Sequence, residues 1–150
     1  MVSKKAIDDF YSSRKLAIVG VSRSGKKFGN SAMKELINRG YTVYPVNPNT
    51  DDVDGNKCYR NLINLPEKVE GAVVVVQPQE SGKVVREAKA AGINNIWLQQ
   101  GAQSEDAINY CNINGMNVVY GECILMFSEP VGGFHKFHRT INKIFRKLPR

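Results

Sequence analysis

Five short runs of mostly apolar residues punctuate this chain, at 16–21, 42–46, 72–76, 95–98 and 117–120. Each is strand length, and its apolar positions do not simply alternate, so both faces of the predicted strand are covered. The run at 72–76, an alanine followed by four valines, is predicted as the centre of the sheet.

Between the runs the apolar period changes to that of a helix. Ser3 caps a predicted helix over 3–11, with Ile7, Phe10 and Tyr11 on one face. A second begins at Asn30 or Ser31 and reaches Arg39, with Ala32, Leu36 and Ile37 inward and Gly40 as its stop. Ser81 is predicted to cap a third, running to Ala91 with Val84, Val85 and Ala88 inward, and Gly92 closes it. Ser104 caps a fourth, which reaches about Ile113 before Gly115. The longer connection 49–66 carries an Asp54-Gly55 turn, and Leu62, Ile63 and Leu65 suggest a single helical turn.

Strands alternating with helices through short links require right-handed crossovers, which make the strands parallel. The predicted fold class is α/β: a Rossmann-like doubly wound sheet of about five parallel strands in three α/β/α layers. Residues 1–133 form the expected domain. In 134–150, Phe134, Phe137, Ile141, Ile144 and Leu148 recur at helical spacing, predicting an extra C-terminal amphipathic helix packed on or extending from that domain. Ligands of such sheets bind at the carboxyl ends of the strands.

Composition narrows the class. The 150 residues are 42% hydrophobic, yet no apolar run approaches a bilayer span, and the N-terminus lacks an apolar signal core. A cytoplasmic location is expected. Cys58, Cys111 and Cys123 are odd in number and widely separated, which provides neither a disulfide framework nor a zinc ligand set. The net charge of +7 is concentrated at the C-terminus: six of the 21 basic residues lie in 134–150, where there is no acid. A terminal helix solvating its charges is the favoured reading, with nucleic acid, an acidic protein partner or a membrane surface as alternatives.

The chemistry is richest in the loop after the first strand, where Gly20, Gly25 and Gly29 accompany Arg23, Lys26 and Lys27. A glycine-rich turn opening a helix offers backbone N–H groups and a positive dipole end to an anion. Residues 20–26 fit a triphosphatase P-loop, but Lys27 replaces the Ser or Thr that holds magnesium. No strand-end Asp follows 72–76, where Gln77-Pro78 stands. The dinucleotide fingerprint matches at Gly20 and Gly25, but Ser22 replaces its middle glycine, and Asn47-Pro48 stands where an NAD site presents its ribose-binding acid.

The Gly20-x-Ser22 pattern with its basic loop and later Gly29 has four companions: Pro45-Val46-Asn47-Pro48, Val76-Gln77-Pro78, Trp97-Leu98-Gln99-Gln100-Gly101 and Cys123, each after a successive strand. In these pieces the chain, over about 15–126, resembles the stand-alone CoA-binding domain proteins, which are similar to the CoA-binding domain of the succinyl-CoA synthetase alpha subunit. The resemblance implies CoA or acyl-CoA as ligand. It assigns Gly20, Ser22, Arg23 and Lys26 to the phosphates, with Val21, Phe28, Gly29 and Asn30 completing the loop. It also sets Asn47, Pro48, Gln77 and Pro78 beside the adenine, and Gln100 and Gly101 near the pyrophosphate or pantetheine. Cys123 falls near the end of the pantetheine arm, where a mixed disulfide with CoA competes with the reading of a buried inert thiol. Trp97 reads as core.

The expected function is therefore non-catalytic binding of CoA or an acyl-CoA. The rival readings are an NAD(P)-binding oxidoreductase-like domain and a nucleic-acid-associated protein acting through 134–150.

Overall fold

The computed structural model describes residues 2–127. The predicted C-terminal helix at 134–150, and the boundary placed at 133, lie outside the described residues.

The Ser3 hydroxyl accepts from the Ala6 amide at 3.1 Å and starts α1 (Lys4–Tyr11). Next come β1 (Lys15–Val19), α2 (Phe28–Asn38) and β2 (Thr42–Val46). A small hairpin of β3 (Asp52–Val53) and β4 (Asn56–Lys57) turns at Asp54-Gly55, both with positive φ, the combination that matches strand twist in a two-residue loop. The chain returns to the sheet with β5 (Gly71–Val74), then α3 (Pro78–Ala90), β6 (Asn95–Leu98), α4 (Glu105–Ile113), β7 (Asn117–Tyr120) and α5 (Ile124–Phe127).

Five of the strands form one parallel sheet in the order β2-β1-β5-β6-β7. The valine-rich β5 is its centre. Pro45, which has no N–H to donate, lies on the edge strand β2. Neighbouring residues of each strand feed opposite cores, which is why the runs are unbroken. On β1, Leu16 and Ile18 join Phe10, Met33, Leu36 and Trp97 beneath α1 and α2. Ala17 and Val19 join Val85, Ala88, Ala107 and Cys111 beneath α3 and α4. Each fully buried large aliphatic side chain contributes about 1.5–3 kcal/mol.

Three local expectations give way to tertiary packing. α2 starts at Phe28, two residues early, and its inward stripe is Gly29, Ala32, Met33 and Leu36, so Ile37 falls beyond the stripe and stays 40% exposed. α3 starts at Pro78, whose fixed φ suits a first helical position, so Ser81 lies inside the first turn rather than capping it. Its buried hydroxyl donates to the Ala102 carbonyl at 2.5 Å. The stretch 62–65 forms no helix: Leu62 enters the core, whereas Ile63 is 61% exposed.

The strand order reverses direction between β1 and β5. One crossover leaves β1 for β2, and the next returns past β1 to β5, which opens a crevice between their carboxyl ends.

Candidate functional site

Close passage of the chain at this crevice depends on two glycines. Gly20 leaves β1 with φ of +116°, and a Cβ there would lie 2.0 Å from the Val75 carbonyl oxygen. A Cβ on Gly29 would lie 2.7 Å from the Gly20 carbonyl oxygen. Both residues let the protein approach itself, setting the loop against the end of β5 and α2 against the loop.

The loop between them is held by Asn30, which is only 1% exposed. Its Oδ1 accepts from the Ser22 amide at 2.8 Å, and its Nδ2 donates to the Ser22 carbonyl at 2.9 Å and to Asp54 Oδ2 at 3.1 Å. The loop itself contains no acid, but the fold brings Asp54 onto it from the β3–β4 hairpin. The Ser22 hydroxyl accepts from the Ser24 amide at 3.1 Å. Asn47 joins the ends of β1 and β2, donating from Nδ2 to the Val21 carbonyl at 2.8 Å and accepting from the Asn49 amide at 2.8 Å.

Above these strand ends lies a cleft of about 1130 Å³. Of the residues expected there, Gly20, Val21, Ser22, Arg23 and Phe28 line it from the first loop. Asn47, Pro48, Gln77, Gln100 and Gly101 line it from the ends of β2, β5 and β6. Lys26, Gly29, Asn30, Pro78 and Cys123 do not. Lys27 lines the cleft in place of Lys26 because it is the N-cap of α2. Gly29 and Asn30 shape the loop from behind, and Pro78 starts α3. Cys123 precedes α5, in a segment pinned by Trp97 Nε1 donating to the Glu122 carbonyl at 3.1 Å and Tyr11 donating to the Ile124 carbonyl at 2.5 Å.

The cleft also contains residues the local patterns did not indicate. Glu80, Lys83 and Glu87 line it from α3, and Arg60 from the connection after β4. The three α3 residues recur at helical spacing, a signal that could have marked one helix face. Arg60 has no such local mark. Gln99 lines the cleft and is largely buried, its Oε1 accepting from the Ile124 amide at 3.0 Å.

Two features favour an anion here. First, α2 and α3 begin at Lys27 and Gln77, neither of which makes a side-chain capping bond, and both N-caps line the cleft. By contrast, α1 and α4 begin at Ser3 and Ser104, whose hydroxyls cap them. A helix N-terminus without a side-chain cap suits a phosphate. Second, three of the four lining cations, Arg23, Lys27 and Arg60, border the β1 and β2 ends, while the acids Glu80 and Glu87 lie on α3 with the fourth cation, Lys83, between them.

None of Cys58, Cys111 and Cys123 lines the cleft. Burial pushes the Cys58 thiol up, and it raises the Cys111 thiol to about 11. Among the described residues, no group of three or more His, Cys, Asp or Glu could hold a metal ion, and no helix is long and apolar enough to cross a membrane.

Residues 14–129 match the family described as the CoA binding domain. Over 150 residues the chain is 25% identical to the ADP-forming acetate–CoA ligase II subunit alpha of Pyrococcus furiosus, covering 93% of this chain and 31% of that one. It is 27% identical to ADP-forming acetate–CoA ligase I of Archaeoglobus fulgidus, covering 83% of this chain and 20% of that one. The chain thus spans between about a fifth and a third of these two relatives. Among solved structures, a conserved hypothetical protein of Pyrococcus furiosus aligns with a TM-score of 0.70 at 41% identity, covering 75% of this chain and 97% of that one. A hypothetical protein from Pyrococcus horikoshii OT3 aligns with a TM-score of 0.75 at 28% identity, covering 83% and 88%.

Proposed function

The chain belongs to the CoA binding domain family, and on that premise we propose that it is a non-catalytic binding protein for CoA or an acyl-CoA. In this reading the ligand lies across the carboxyl ends of β2, β1, β5 and β6, with its phosphates toward the Gly20 loop. The observation that carries the reading is the convergence of two uncapped helix N-termini with Arg23, Lys27 and Arg60 on one cleft at the switch point of the sheet.

CoA carries a pyrophosphate and a ribose phosphate at one end and a long, thin thiol arm at the other. A cleft with cations along β1 and β2, and with the amide side chains of Gln99 and Gln100 toward β6, suits that division of charge. An NAD site would present a carboxylate at the end of β2. Asn47 stands there instead, and its amide is engaged by Val21 and Asn49. The family relatives named as ligases are far longer than this chain, and no turnover is assigned to it. A cytoplasmic location belongs to the same proposal.

Native mass spectrometry of the full chain tests the reading, because a retained or added ligand reports itself by mass. The expected result is a complex with CoA or an acyl-CoA that survives equimolar NAD and ATP. Preferential retention of NAD or ATP would overturn it.

A further inference from the structure

We infer that Arg60 is the specificity-determining residue of this cleft: its guanidinium, brought to the carboxyl end of β2, selects a nucleotide phosphorylated on its ribose over the same nucleotide without that phosphate. The inference rests on the CoA reading and extends it to the recognition of one chemical group.

In doubly wound sheets the end of the second strand faces the ribose of a bound nucleotide: an acid there suits a free hydroxyl, and an arginine suits a phosphate. Here β2 supplies neither from its own sequence. The missing charge comes from a later part of the chain. The Tyr59 amide donates to the Pro45 carbonyl at 2.9 Å, and the Asn47 amide donates to the Tyr59 carbonyl at 2.8 Å. These bonds form a parallel bridge between Val46 and Tyr59 that sets the backbone of Arg60 beside the strand end. Its placement is thus part of the hydrogen-bonded frame.

The side chain is engaged but not saturated. Nη1 donates to the Pro48 carbonyl at 2.9 Å, while Nε and Nη2 both approach a single oxygen, Asp51 Oδ1, at 3.2 and 3.1 Å. The Arg60 and Asp51 side chains are 56% and 78% exposed. An ion pair this open to water contributes little, so a doubly charged phosphate can displace the carboxylate and take the fork. Asp51 does not line the cleft, and the acids that do, Glu80 and Glu87, both lie on α3.

The test is isothermal titration of the full chain with CoA and with dephospho-CoA, read as the ratio of the two affinities. Wild-type protein should favour CoA, and Arg60→Ala should reduce the ratio by roughly tenfold or more. Arg60→Lys keeps the charge without the fork, and its ratio should fall between the two. If both ligands bind and the ratio is unchanged in Arg60→Ala, the inference is overturned while the CoA reading stands. If wild-type protein binds neither ligand, the CoA reading fails and this inference with it. Should Arg60→Ala bind neither, the Arg60→Lys ratio decides, and a wild-type value there counts against the inference.

Discussion

The buried side chain of Asn30 brackets the backbone of Ser22, accepting from its amide at 2.8 Å and donating to its carbonyl at 2.9 Å. One side chain thereby satisfies both polar groups of the loop residue that faces the cleft. Asn30→Ala would remove both bonds and also the contact with Asp54, at a cost of about 1–3 kcal/mol. We expect a lower melting temperature together with weaker CoA binding. Asn30→Asp should be worse than alanine, since it would set a second carboxylate against Asp54. A melting temperature equal to wild type in both variants would contradict the bracket.

Gly20 should be irreplaceable for reasons of packing, whatever the ligand. Alanine there would combine a left-handed backbone with a Cβ 2.0 Å from the Val75 oxygen. The expected loss is about 3 kcal/mol or more. Gly29→Ala should cost less, because its Cβ would approach the Gly20 oxygen at 2.7 Å with ordinary helical backbone. Urea unfolding of the two variants checks both the sign and the order.

The two adjacent lysines of the loop should behave differently. Lys27 lines the cleft as the N-cap of α2, and Lys26 does not line it. A charge-assisted contact is worth on the order of 1.5–3 kcal/mol, so Lys27→Glu should weaken CoA binding by roughly tenfold or more. Lys26→Glu should do much less. Arg23→Glu should follow Lys27→Glu. Equal effects of the two lysine variants in calorimetry would show that only the net charge of the loop matters.

Cys111 predicts the alkaline behaviour. Burial raises its thiol from 9.0 to about 11, so the native state keeps a proton that the unfolded chain releases first. Its contribution is fully present below pH 9.0 and is lost as pH rises through about 11. The size is on the order of 2–3 kcal/mol. Tyr11, whose phenol burial also raises, adds slope of the same sign. Comparing wild type with Cys111→Ala across this window isolates the thiol, and the variant should lose less stability between pH 9 and 11. A larger loss in the variant would refute the assignment.

Much of the site was legible because strand ends are marked locally. Gln77-Pro78, Asn47-Pro48 and Gln100-Gly101 each follow an apolar run, and turn residues after such a run mark where a strand stops. Once the strands are parallel, their ends gather on one edge. The helix registers were less legible. Ser81 resembled a cap, yet Pro78 started α3 earlier, and Ile37 lost the inward position to Met33 through a small change of helix phase.

The amino-acid sequence by itself determined the α/β alternation, the parallel sheet with its valine-rich centre, and the cluster of glycines and cations after the first strand. These depend on hydrophobic period and turn chemistry, which act over a few residues. Tertiary structure alone decided which loop cation meets the cleft, that Asn30 grips Ser22 and Asp54, that Arg60 reaches the end of β2, and that Cys123 is not among the lining residues. Each of these is a contact between segments separated in the chain. Such a contact is set by how strands pair and helices pack, and no local pattern encodes it.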